Sequence, residues 1–137
     1  MGNREDAERA CAGLANAVYT LMDLGRYDET AALFAEDGTW VRGGNPTVGR
    51  AAIRAALDKR PPDQISRHVV SNVTITVTDN DHAEGAAYFM PLRGAKKEGG
   101  AAAMPAFDQL GDLAFSFRRD GNRWLIAFLK PSPVFKA

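Results

Sequence analysis

Apolar residues recur at helical spacing at the start of the chain. Ala7, Cys11, Leu14, Val18, Leu21 and Met22 fall on one face, which predicts an amphipathic helix from Asn3 to Leu24 that Gly25 ends. The stretch "YDETAALFAEDG" sets Ala32, Leu33 and Phe34 on one face between Asp28, a candidate N-cap, and Gly38, and predicts a short second helix. "GTWVRGG" reads as a short strand, "NPTVG" as a break, and "RAAIRAALDKR" as a third helix stopped by Pro61 and Pro62. Beyond the prolines the period changes to two. "ISRHVVSNVTITVT", "HAEGAAYFMPLR", "DLAFSFRR" and "NRWLIAFLK" alternate or are rich in β-branched and aromatic residues, with turn chemistry in "DNDH" and "RDGN". Helices followed by a mostly antiparallel sheet form an α+β pattern, in which helices cover one face of a curved sheet. No repeat or linker divides residues 1–137, so one domain is expected. Residues 94–111, "GAKKEGGAAAMPAFDQLG", exceed an ordinary loop and are expected to form a lid or to be disordered.

Alternation leaves one strand open to two assignments. His68, Asn72, Thr74, Thr76 and Thr78 share one parity, while Val69, Val73, Ile75 and Val77 share the other. Either the polar parity faces solvent and the valines the core, or the polar parity lines a cavity and the Val/Ile face is buried against a second copy of the chain.

Bulk composition narrows the function classes. Hydrophobic residues make up 45% and charged residues 25%, as in soluble globular proteins. Seventeen basic residues balance seventeen acidic ones with no basic face, which argues against nucleic acid. Cys11 is the only cysteine, and His68 and His82 are the only histidines, so no disulfide and no metal site is expected. No apolar run approaches the roughly 20 residues that span a bilayer. "MGNREDAERA" lacks a signal-peptide apolar stretch, so no membrane association and a cytoplasmic location are expected. Gly2 is the residue myristoylation requires, but Asp6 stands where Ser or Thr is needed. "GGNPTVG" lacks the lysine of a phosphate loop, and no GxSxG elbow occurs.

The order helix, short helix, strand, helix and four long strands resembles the nuclear-transport-factor-2-like superfamily, in particular its SnoaL-like and scytalone-dehydratase-like members. The likeness is carried by "DLGRYDETAALFAEDGTW", "RHVVSNVTITV" and "DGNRWLIAFLKP". It implies a cone-shaped curved sheet wrapped around N-terminal helices and enclosing a pocket, and a homodimer through the outer sheet face. In scytalone dehydratase and hexachlorocyclohexane dehydrochlorinase, an aspartate near the end of helix 1 and a histidine opening a long strand form a catalytic dyad. Asp23 and His68 match those positions. The chemistry fits, because an imidazole with a free pKa of about 6.5 can take and return a proton at neutral pH, and a carboxylate on its other nitrogen fixes its tautomer. Asp23 falls about 40° past Tyr19 on the helix, at the margin of the apolar arc, where a half-buried carboxylate needs a partner.

Other candidates are less specific. Tyr19, one turn before Asp23, could donate a hydrogen bond to substrate or simply pack. Arg93 falls where scytalone dehydratase has a second active-site histidine; it can hold a carboxylate or a developing oxyanion but cannot act as a neutral acid-base group. Met22 stands where that enzyme has a tyrosine. Trp40 and Tyr88, with Phe89, Phe115, Phe117, Trp124 and Phe128, offer aromatic surface for a cavity wall or for the core. The resemblance implies a cofactor-independent lyase, a dehydratase or related elimination, acting on a small apolar or aromatic substrate. A non-catalytic ligand-binding or assembly module is the alternative from another class, and an isomerase or cyclase a further one. Arg42 occupies the place of the basic aspartate of ketosteroid isomerase, which disfavours that chemistry. "AAYFMPLR" offers no acidic residue near Arg93, which disfavours the Asp-Arg-Asp set of limonene epoxide hydrolase.

Overall fold

Asn3 opens the first helix with its side-chain carbonyl, which accepts the Asp6 backbone N–H at 2.8 Å. The computed structural model describes residues 3–137, so Gly2 and the myristoylation question lie outside the described residues. Helix α1 spans Arg4–Asp23 and buries Cys11, Ala15, Val18, Tyr19 and Met22, the face that its spacing predicts. It ends in paired bonds from Gly25 N–H to the Met22 carbonyl and from Arg26 N–H to the Leu21 carbonyl. Gly25 sits at φ 75°, the left-handed conformation that this closing turn requires. No helix among the described residues is long and apolar enough to cross a membrane.

The second helix is shorter than its pattern suggests. α2 covers only Tyr27–Ala32, with Asp28 inside its first turn rather than at the N-cap, and strand β1 begins at Phe34 and runs to Arg42. The ladder outcompetes the helix here. Ile126 N–H donates to the Leu33 carbonyl at 2.8 Å, and Arg50 donates two bonds to the Phe34 carbonyl. Gly38 is therefore no helix stop. A Cβ at that position would lie 2.9 Å from the Ile126 carbonyl oxygen, so glycine lets β1 approach its neighbour where the register shifts. "NPTV" is also not a break but strand β2, Asn45–Val48, joined to β1 through Gly43 and Gly44 at φ 57° and 80°. Positive φ at both central residues is what a two-residue hairpin loop demands.

Helix α3, Arg50–Leu57, precedes the four long strands β3 (Gln64–Asp79), β4 (His82–Ala95), β5 (Gln109–Asp120) and β6 (Arg123–Lys136). The sheet order is β2-β1-β6-β5-β4-β3, antiparallel throughout except where β1 meets β6. This is the expected α+β architecture, an unclosed curved sheet with α1 against its inner face. Val18, Phe34, Trp40, Leu113, Phe115 and Ile126 are among the side chains that fill the space between them. β6 runs past the expected end at Lys130, through Pro131 and Pro133, and so brings Lys136 back alongside Gln109. Residues 96–108 carry no regular structure and leave Met104 and Phe107 exposed.

Strand β3 obeys neither of the two parity assignments along its whole length. Ser71 pairs with Tyr88 but Thr74 pairs with Ala86, so three steps on β3 match two on β4, and Asn72 takes φ 56°. The extra residue is a β-bulge, and it swaps the faces of everything beyond it. Before it, Ser66, His68 and Val70 turn inward and Val69 outward; after it, Val73, Ile75 and Val77 turn inward and Thr74, Thr76 and Thr78 outward. The expected Val/Ile outer face therefore does not exist, and of those four residues only Val69 remains outside, 49% exposed. Asparagine tolerates the left-handed conformation better than a β-branched residue does. Asn72→Val should destabilise the protein by about 1–2 kcal/mol in urea unfolding, with Asn72→Gly close to wild type; equal stability of the valine variant would remove the strained bulge from this account.

Candidate active site

The closing turn of α1 leaves Asp23 as the last helical residue, facing the first inward positions of β3. Its side chain is 6% exposed and that of His68 is 2% exposed. His68 Nδ1 lies 2.7 Å from Asp23 Oδ1, and the His68 backbone N–H donates to Oδ2 at 2.8 Å. Ser66, one inward step earlier on β3, donates its hydroxyl to Oδ1 at 2.7 Å. Behind it, Arg60 donates to Ser66 Oγ at 2.6 Å, to the Met22 carbonyl at 2.9 Å and to the Tyr27 hydroxyl at 3.2 Å. Arg60 thus ties the end of α1 to the start of β3.

Burial acts to raise the pKa of Asp23, but the His68 ring, the attraction of its charge, the Ser66 hydroxyl and the His68 backbone N–H together hold it below the ordinary carboxylate range. An ionised carboxylate can only accept, so this contact places the proton on Nδ1 and leaves Nε2 with its lone pair in the neutral ring. Asp23 also sits at the wrong end of the helix dipole, with no basic residue in the last turn to offset it. Its bonds from β3 are what make the position tenable.

His68 borders a cavity of about 170 Å³ whose inner wall is formed by Tyr19, Met22, Trp40, Arg42, Phe89 and Arg93. Gln109, Pro131 and Lys136 complete it from β5 and β6. The imidazole lies with its centroid 4.7 Å from that of Tyr19 and parallel to Phe89 at 6.4 Å. The Tyr19 hydroxyl and the Trp40 indole N–H are both buried without a hydrogen-bond partner among the described residues. Burial pushes the Tyr19 pKa up; the nearby Trp40 indole, which lies outside hydrogen-bond geometry, and then Arg42 offset this only in part, so Tyr19 is a neutral O–H donor.

The cavity thus brings together His68, Tyr19, Trp40 and Arg93, while Asp23 stands behind the imidazole, beside a groove lined by Tyr27, Arg60 and Ser66. Tyr88 is not part of it. It alternates with the inward-facing Ala87 and Phe89, pairs with Ser71 and Asp112, and is 50% exposed on the outer face. Phe115 and Phe117 are core residues. The pattern along the chain had not singled out Ser66, although it shares the parity of His68. Lys136 was out of reach because β6 was expected to end six residues earlier. A larger groove of about 370 Å³ lies at the other end of α1, against Asn3, Ala7 and Asp79, and holds none of these groups. No three His, Cys, Asp or Glu side chains converge among the described residues, and burial pushes the Cys11 thiol up to about 12.

The chain belongs to the SnoaL-like domain family, whose profile matches residues 4–130. Its fold is shared by a candidate scytalone dehydratase from Novosphingobium aromaticivorans, 18% identical, with a TM-score of 0.77 over 94% of this chain and 85% of that one. A nuclear-transport-factor-2-like protein with a cystatin-like fold from the same organism is 21% identical, with a TM-score of 0.76 over 98% and 86%. A Catenulispora acidiphila protein in complex with S-DNPA is 18% identical, with a TM-score of 0.70 over 90% and 91%. At these identities the likeness establishes the nuclear-transport-factor-2-like cone fold. No curated protein sequence matches the chain.

The depressed pKa of Asp23 has a definite sign. Its stabilising contribution is complete above the unfolded value of about 3.9 and is lost as pH falls through the lower folded value, where both states hold the proton. Asp23→Asn should therefore cost about 1–3 kcal/mol at neutral pH, and the deficit should shrink on acidification below about pH 4. Urea unfolding of both proteins across that range checks this, and a deficit that stays constant contradicts it.

Proposed function

We propose that the protein is a cofactor-independent lyase of the dehydratase type, acting on a small molecule bound in the His68 cavity. The observation that carries the reading is a buried imidazole on the cavity wall, with Asp23 on one nitrogen and the other nitrogen left for substrate. A polar group in the core with no role beyond stability would be satisfied on both sides. Nε2 removes a proton from carbon next to an electron-withdrawing group. The C–H electron pair becomes the new C=C bond as the C–O bond of the neighbouring hydroxyl breaks toward oxygen. The proton on Nε2 then passes to the departing hydroxide, which leaves as water and returns the neutral ring. Asp23 holds the tautomer and stabilises the imidazolium between these two transfers.

Acid-base assistance of this kind contributes about 10²- to 10⁴-fold, or roughly 3–5 kcal/mol of barrier. The remainder falls to exclusion of water by Tyr19, Trp40 and Phe89 and to cations that meet developing negative charge. A neighbour of the same fold holds a small ligand, S-DNPA, in keeping with a pocket that takes small molecules. We take residues 1–137 as a single domain of this kind. Two copies would meet across the outer sheet face, where Val69 and Tyr88 stay exposed on adjacent strands. Tyr88→Asp is then expected to turn a dimer into a monomer by sedimentation while leaving the cavity intact; an unchanged mass excludes this face.

The decisive measurement is elimination from hydroxylated and halogenated carbonyl and aromatic compounds by wild type and His68→Ala. A lyase loses at least about 100-fold in kcat in the variant, with KM changed far less. Equal turnover by the two proteins removes His68 from the chemistry. A binding module without catalysis predicts no turnover by the wild type and unchanged ligand affinity in Asp23→Asn.

A further inference from the structure

The cavity carries more positive charge than proton transfer through His68 uses. Arg42, Arg93 and Lys136 all line it. Arg42 ends β1 on the same face as Trp40, with its guanidinium 5.2 Å from the centroid of the indole. Among the described residues it has no hydrogen-bond or salt-bridge partner, and the charges acting on it most strongly include two further arginines, Arg60 and Arg93. Burial and that repulsion hold its pKa below the ordinary arginine value. Arg93 reaches only Asp108, at 3.5 Å with both side chains about half exposed, a contact that competes weakly with a ligand. Asp23 cannot serve as counterion, because its oxygens are taken by His68 and Ser66.

Tyr19 and Trp40 line the same cavity, and their hydroxyl and indole N–H are buried without an acceptor among the described residues. A half-buried cation without a counterion is costly in the empty protein. A small anion in the cavity supplies that counterion.

We infer that the cavity binds a small molecule bearing a carboxylate, held by Arg42 and Arg93, with Lys136 adding to the attraction. The planar guanidinium fork matches the two oxygens of a carboxylate. The volume of about 170 Å³ compares with the roughly 150 Å³ that admits one benzene ring, so the cavity has room for a one-ring acid. Arg93 pairs with Ser66 across the β3–β4 ladder and is the diagonal neighbour of His68, roughly 7–8 Å away along the inner face. A carboxylate held there sets the rest of the molecule beside the imidazole. The link to elimination rests on the lyase reading; the recognition itself rests on the cations.

Benzoate and its neutral isostere benzamide separate the charge from the ring. Calorimetric titration of the full-length protein should find benzoate bound at least about tenfold more tightly than benzamide, with only benzoate weakened by added salt. Arg42→Gln and Arg93→Gln should each weaken benzoate by roughly ten- to a hundredfold and benzamide far less. Should either variant fail to fold, the benzoate-to-benzamide ratio and the salt response of the wild type decide the matter alone. No binding of benzoate, equal binding of the two compounds, or full affinity in both folded variants overturns the inference. Turnover that is lost in His68→Ala without benzoate preference sinks the subsite and leaves the lyase standing; benzoate preference without turnover of any compound does the reverse.

Discussion

A carboxylate buried at the C-terminal end of helix α1 must be satisfied from outside the helix, and much of the surrounding structure meets that demand. The helix dipole opposes Asp23, and the last turn brings no cation of its own. Gly25 turns the chain sharply enough for the carboxylate to meet the first residues of β3, where Ser66 and His68 supply three bonds. Arg60 braces the same junction through Ser66 and the Met22 carbonyl. One constraint thereby fixes the contact of helix and sheet, the orientation of the imidazole and the position of the cavity beside it. Removing the carboxylate would leave several buried donors unmet at once.

The bulge at Asn72 resolves a second conflict. Near Asp23 the strand must present polar residues inward, whereas farther along, beneath the middle of α1, it must present apolar ones to the core. A regular strand cannot change parity. One inserted residue lets Ser66 and His68 face the site while Val73, Ile75 and Val77 close the core. The outer face of β3 then carries threonines, with Val69 and, on β4, Tyr88 among the exposed apolar groups of the sheet.

The cavity combines an aromatic wall with an electrostatic imbalance. Tyr19, Trp40 and Phe89 pack around the imidazole and limit water, and the arginines at the ends of β1 and β4 leave the space positive. In such a place charge interactions count for more than they would in solvent. The aromatic residues first seen as possible walls divide accordingly into wall, core and outer surface according to strand parity.

Local rules were enough for much of this chain. Helical periodicity fixed α1 from Asn3 to Leu24, period-two alternation located the four long strands, and their order pointed to the cone fold and to Asp23 and His68 as a pair worth testing. These features depend on neighbours in sequence, or on a family pattern that keeps sequence order. Tertiary structure decided the rest. Phe34 became strand because β6 offered a ladder, "NPTV" because β1 did, and β6 continued to Lys136 because β5 accompanied it. Ser66 and Arg60 behind Asp23, the unmet donors of Tyr19 and Trp40, and the gathering of Arg42, Arg93 and Lys136 are relations between distant segments. The sequence alone specified which residues could do chemistry, and packing across the sheet decided which of them share a space, because a single bulge or strand extension reverses or relocates side chains without any change in local composition.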